Sequence, residues 1–163
     1  MKEKAYEFAF LGGSDSAYIF PTRFGITYEV RFKPSGYLFG DEQPFADSIF
    51  EVVLLPARGD ADKEKPLDAR IPSTVAAIVK DFFIQKETVL LYICEDNDGR
   101  GAVRNRKFGQ WFNFYKLEYH FKFDFTIGSA EEQYYNSVIG RMDNPYKNEI
   151  IAACFELAED NSK

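Results

Sequence analysis

Two stretches of this chain alternate apolar and polar residues without a break, and they decide most of what it can fold into. In FGITYEVRFK, Phe24, Ile26, Tyr28, Val30 and Phe32 fall on one side, and Gly25, Thr27, Glu29, Arg31 and Lys33 on the other. In YHFKFDFTI, Tyr119, Phe121, Phe123, Phe125 and Ile127 are set against His120, Lys122, Asp124 and Thr126. Side chains of a strand point to opposite faces in turn, so each run predicts a strand with one face on a core and one toward water. Strands of that kind belong to antiparallel sheets, because parallel sheets are covered on both faces.

The other elements follow from shorter signals. Lys4 to Phe10 alternates, with Tyr6, Phe8 and Phe10 on one face, and GGSDS (Gly12 to Ser16) turns the chain into a hairpin partner at Ala17 to Phe20. Pro34 to Gly36 is a second turn, with a short edge strand expected at Tyr37 to Phe39. Ile49 to Leu55 is nearly all apolar and therefore a more central strand. Residues 57–70, ARGDADKEKPLDAR, carry no apolar period and read as a charged, mobile loop. Val75, Ile78, Val79 and Phe82 have helical spacing, which predicts a helix over Ser73 to Gln85 started by Pro72, Ser73 and Thr74.

A buried strand follows at Thr88 to Cys94, then a second helix from Gly99 to about Lys116 and a strand over Gln133 to Arg141. Asn144-Pro145 opens a third helix that runs to about Glu159 and buries Tyr146, Ile150, Ala153, Cys154 and Leu157. Strands gathered early and helices late predict an α+β fold: one domain over 1–163, a mostly antiparallel twisted sheet with about three helices on one face.

Composition narrows the function classes. The 163 residues include 17 Phe and 10 Tyr but a single Trp, enough large side chains for a thick core. The net charge of −6 argues against nucleic acid or an anionic membrane as a partner of the whole surface. No apolar run reaches the roughly 20 residues that span a bilayer, and the first residues, KEKAYEFAF, alternate like a strand and not like a signal peptide. Cys94 and Cys154 sit in apolar settings and read as reduced, buried thiols of a cytoplasmic protein.

Chemistry is concentrated in TVLLYICEDNDGRGAVRNRKFGQWFNFY, Thr88 to Tyr115. Asp98 is placed to cap the second helix, and Asp96 lies near the positive end of its dipole. At about 100° per residue, Arg100, Arg104, Lys107 and Trp111 share one stripe of that helix, flanked by Phe108 and Tyr115. The cations thus continue the aromatic face, and either project beyond the sheet or are partly buried against carboxylates, with Glu95, Asp96 and Asp124 the candidate partners. Arg100, Arg104, Arg106 and Lys107 beside Trp111 also make a short basic stripe for nucleic acid, but four cations on an acidic protein bind phosphate weakly. Cations with an aromatic anchor are common at protein interfaces.

Three enzymatic patterns overlap the same stretch. Cys94 to Arg100 spells C-x5-R between a strand and a helix, which resembles the cysteine phosphatase loop. The intervening Glu95, Asp96 and Asp98 repel phosphate and raise the thiol pKa, against that chemistry. Asp96-x-Asp98 after an apolar strand looks like the nucleophile motif of haloacid-dehalogenase-type phosphatases, yet Gly99 leads to Arg100 where that family has Thr, and the sheet type differs. Asp96-Asn97-Asp98-Gly99 is similar to part of a calcium loop but runs into cations, without the closing Glu. His120 is the one histidine, the only imidazole base available to Cys94, and no zinc site can be assembled around it.

ICEDNDGRGAVRNRKFGQWF, with the early aromatic strands and Asn144-Pro145-Tyr146, resembles a family of small uncharacterised bacterial proteins marked by an acidic-Asp-Gly-Arg turn, spaced arginines and Phe-x-x-Trp. The resemblance covers most of the chain and implies no activity. The expected function is a cytosolic, non-enzymatic binding or regulatory module without cofactor or metal. It docks an acidic partner or small anion through Asp96, Asp98, Arg100, Arg104, Lys107 and Trp111. The rival reading is a phosphoryl-transfer or hydrolytic enzyme using Cys94 or Asp96.

Overall fold

The computed structural model describes residues 3–83, 85–95, 106–107, 109–111, 119–128 and 133–161. The strands are β1 (Ala9–Gly12), β2 (Ala17–Pro21), β3 (Thr27–Pro34), β4 (Ile49–Pro56), β5 (Val89–Glu95), β6 (His120–Gly128) and β7 (Gln133–Arg141). They form a seven-stranded sheet in the order β1-β2-β3-β4-β5-β7-β6. The helices are α1 (Arg70–Phe82) and α2 (Lys147–Asn161), and residues 106, 107 and 109–111 are helical between them. β4 joins β5 in parallel, with Ile49 opposite Val89, and β1–β2, β2–β3, β5–β7 and β6–β7 are antiparallel. The fold is α+β, as the alternating runs require. Its contacts gather into two compact units, residues 1–33 with 52–84, and residues 34–51 with 85–163.

In the first unit the aromatic periodicity becomes a packed face. Tyr18 stands opposite Val30 and Phe20 opposite Tyr28, and all four are buried with Phe32. Phe82 of α1 stacks on Phe32 with ring centres 3.8 Å apart and planes 8° from parallel. α1 starts at Arg70, three residues before the expected Ser73, because Asp68 Oδ1 accepts the Arg70 N–H at 3.0 Å. Pro72 falls in the first turn, where a missing N–H costs nothing. Thr74 turns its hydroxyl back to the Arg70 carbonyl at 2.6 Å and accepts the Tyr6 N–H at 2.8 Å.

Two expectations fail here. Residues before Ala9 form no strand: Tyr6 is buried but its amide goes to Thr74, while Phe10 is 61% exposed. A register shift between Phe10 and Gly12 breaks the alternation. Phe24 is exposed as well, since a turn closed by Thr22 N–H to the Ile26 carbonyl (2.9 Å), with Gly25 at φ +75°, lifts it off before β3 begins. The 57–70 loop is irregular, and two of its acids are fixed: Asp60 accepts the Thr27 N–H at 2.9 Å, and Asp68 accepts the Tyr6 hydroxyl at 2.5 Å.

In the second unit β5, β7 and β6 present Val89, Leu91, Val138, Phe121 and Phe125 to Ile150, Ala153 and Cys154 of α2, with Phe45 and Ile49 completing the core. Asn144 opens α2 at a distance. Its Oδ1 accepts the Tyr146 N–H at 2.8 Å and its Nδ2 donates to the Glu87 carbonyl at 3.1 Å, so Pro145 lies in the turn ahead of Lys147. The expected edge strand at Tyr37 to Phe39 is instead a 3-10 turn, Gly36–Leu38, because Gly36 packs on the Ala46 carbonyl. Tyr119, expected in the core, is 81% exposed: its φ of +64° ends the pleat, and β6 begins one residue later. The ends of the second helix expected over Gly99 to Lys116 lie outside the described residues; its described middle is helical.

Candidate functional site

Of the residues singled out from sequence, Asp96, Asp98, Arg100 and Arg104 lie outside the described residues, and so does the capping role given to Asp98. Lys107 and Trp111 are described and both are helical. Four residues apart, they share one side of the helix. Arg106 and Lys107 are exposed, and Trp111 is half-buried. At this position, therefore, a cation and the indole leave the helix together.

The strands beside this helix carry a polar group that sequence reasoning read only as a solvated face. Register puts Leu90, Ile139 and Lys122 on one line across β5, β7 and β6, and Tyr92, Ser137 and Asp124 on the next. Lys122 Nζ lies 2.5 Å from Asp124 Oδ1, and Ser137 Oγ donates to the same oxygen at 2.5 Å. Lys122 is the enclosed member, its side chain 15% exposed against 53% for Asp124. Gly109 is the contact with the helix: a Cβ there would be 3.9 Å from Lys122 Nζ.

Among the described residues Asp124, a candidate partner for buried arginines, pairs with Lys122 and Ser137; Arg100 and Arg104 lie outside them. Lys122 and Asp124 are two apart on one strand, so their common face was legible. Ser137 was not, because its place depends on the β6–β7 register.

The thiol and the imidazole of a thiol mechanism are not together. Cys94 is opposite Tyr135, whereas His120 is opposite Arg141. Those β7 positions are six residues apart, roughly 20 Å at about 3.3 Å per residue, which removes His120 as a base for Cys94. Cys94 is 2% exposed and Cys154 fully buried, and burial pushes the Cys154 thiol up to about 12. Among the described residues no group of three His, Cys, Asp or Glu is placed to hold a metal ion, and no helix is long and apolar enough to cross a membrane.

No curated protein and no solved structure matches the chain. One family model does, over residues 67–156, a segment that runs from the start of α1 through β5, β6 and β7 into α2 and includes Lys107, Trp111, Lys122, Asp124 and Ser137. The chain belongs to that family, a family of unknown function (DUF6169).

Proposed function

We propose that this chain is a cytosolic, non-enzymatic binding module that docks an acidic segment of a partner protein on the turn and helix of residues 95–111. The observation that carries the reading is the exposure of Arg106 and Lys107 on the helical stretch that presents Trp111 half-buried. On a chain of net charge −6, a local cluster of cations favours an acidic partner by charge complementarity. An indole at its border supplies the apolar anchor that interfaces use. The reading assigns Asp96, Asp98, Arg100 and Arg104 to the same site from their place in the sequence. The burial of Cys94 and its distance from His120 favour binding over a thiol-based reaction.

Trp111 is the single tryptophan, so its fluorescence reports on this surface alone. Titration with polyglutamate is expected to change Trp111 emission saturably, and the effect should be lost in an Arg106→Glu, Lys107→Glu variant and weakened by salt. A response to inorganic phosphate alone would transfer the site to a small anion. Silence toward both would overturn the proposal. So would hydrolysis of a general phosphatase substrate that disappears in Cys94→Ser or Asp96→Asn.

A further inference from the structure

We infer that Asp124 is an internal substitute for the partner's carboxylate: it occupies Lys122 beside the helix until an acidic segment takes its place and Lys122 joins the cation of Arg106, on the helix face of Gly109. The inference rests on the docking reading above and deepens it by naming a third cation and the competitor that keeps it occupied.

The unequal enclosure of the pair is the first argument. Lys122, with its side chain 15% exposed, needs a counter-charge where it is, whereas Asp124, 53% exposed, can turn to water. An ion pair with one arm in water is weak, so exchange for an incoming carboxylate costs little. The second argument is the gap left by Gly109. The ammonium lies 3.9 Å from where a Cβ would be, so the helix stands beside Lys122 without a side chain from that residue between them. Arg106 precedes Gly109 by three residues and falls on the same helix face, one turn earlier, with its side chain exposed. Third, Ser137, fully buried, donates to the same Asp124 oxygen as Lys122, so the carboxylate that replaces Asp124 must also offer Ser137 an acceptor, which selects for a carboxylate over a neutral group.

The test is a double-mutant cycle read by Trp111 fluorescence with polyglutamate as the probe. Asp124→Asn is expected to tighten binding about two- to fivefold and Lys122→Met to weaken it by a similar factor. In the Lys122→Met background the gain from Asp124→Asn should vanish, because there is no cation left to release. Lys122→Arg keeps the charge and should bind like wild type, which guards against a fold lost in the methionine variant. Should Asp124→Asn tighten binding equally with and without Lys122, or not at all, the inference falls. If the Arg106→Glu, Lys107→Glu variant loses binding while Asp124→Asn and Lys122→Met match wild type, docking stands and the exchange does not. Absence of binding in both wild type and Asp124→Asn would sink the two together.

Discussion

The guanidinium carbon of Arg70 sits 3.8 Å from the centre of the Tyr6 ring. Around that contact, Arg70 Nε donates to the Lys4 carbonyl at 2.8 Å and the Tyr6 hydroxyl donates to Asp68 Oδ2 at 2.5 Å. Residues 4–6 have no strand to hold them, so one arginine at the start of α1 does much of the fastening. Arg70→Ala should cost about 2 kcal/mol, from a charged hydrogen bond and a cation–π contact. Hydrogen exchange at the Tyr6 amide, which otherwise donates to Thr74, is the direct readout. Unchanged protection there would mean that Thr74 and Asp68 hold the segment unaided.

Stability should fall on the alkaline side. Burial and a hydrogen bond to Asp68 raise the Tyr6 phenol, burial and a 2.6 Å bond to Asp81 raise Tyr18, and burial raises Cys154 to about 12. These groups hold their protons more tightly folded than unfolded. Their contribution is complete below the unfolded values of 9.0 for the thiol and 10.0 for the phenols, and is lost as pH climbs through the folded ones. Tm should therefore start to drop above pH 9, and Tyr18→Phe should flatten that limb. The acid limb has the opposite sign. Asp60, lowered by Lys63 and the Thr27 amide, and Asp143, lowered by Arg141, lose their contributions as pH falls below the ordinary 3.8.

Gly36 is required for space. A Cβ there would lie 2.1 Å from the carbonyl oxygen of Ala46, and a backbone atom cannot swing aside as a side-chain tip can. Gly36→Ala is expected to cost about 1–3 kcal/mol, the usual range for overpacking. A urea melt measures it. An unchanged midpoint would mean that the two 3-10 turns, Gly36–Leu38 and Ala46–Ser48, slide apart freely.

Alternation carried the fold a long way. β7 has the bounds read from its residues, and the buried Ile150, Ala153 and Cys154 of α2 follow from helical spacing. The failures have a common physical origin. An apolar period says which side of a strand faces inward, but the strand ends where the backbone leaves the β region, as at Tyr119 with its φ of +64°. Phe10 and Phe24 are misread for the same reason, one by a register shift and one by a turn. Distant partners were out of reach too: Asp68 accepts the Arg70 N–H at the start of α1 while also serving Tyr6, and Ser137 meets Asp124 only once β6 and β7 are paired. At the candidate site, spacing gave Lys107 and Trp111 their common side; the alternating pattern hid Lys122 because a polar residue on a strand reads as wet whether or not a helix lies beside it.

The two thiols provide the sharpest chemical check on the binding reading. Cys94 is 2% exposed and Cys154 fully buried, in a setting that keeps the latter protonated far above neutrality. A nucleophilic cysteine needs thiolate character and an open approach. Native protein at about pH 7.5 should therefore label with a thiol-reactive disulfide reagent only as fast as the fold opens, and both cysteines should react at once in denaturant. Rapid labelling of native Cys94 alone would show that its burial is transient, and would return the C-x5-R stretch to contention as a reactive loop. Slow labelling, with polyglutamate binding intact in Cys94→Ser, would leave this thiol a packing role within β5.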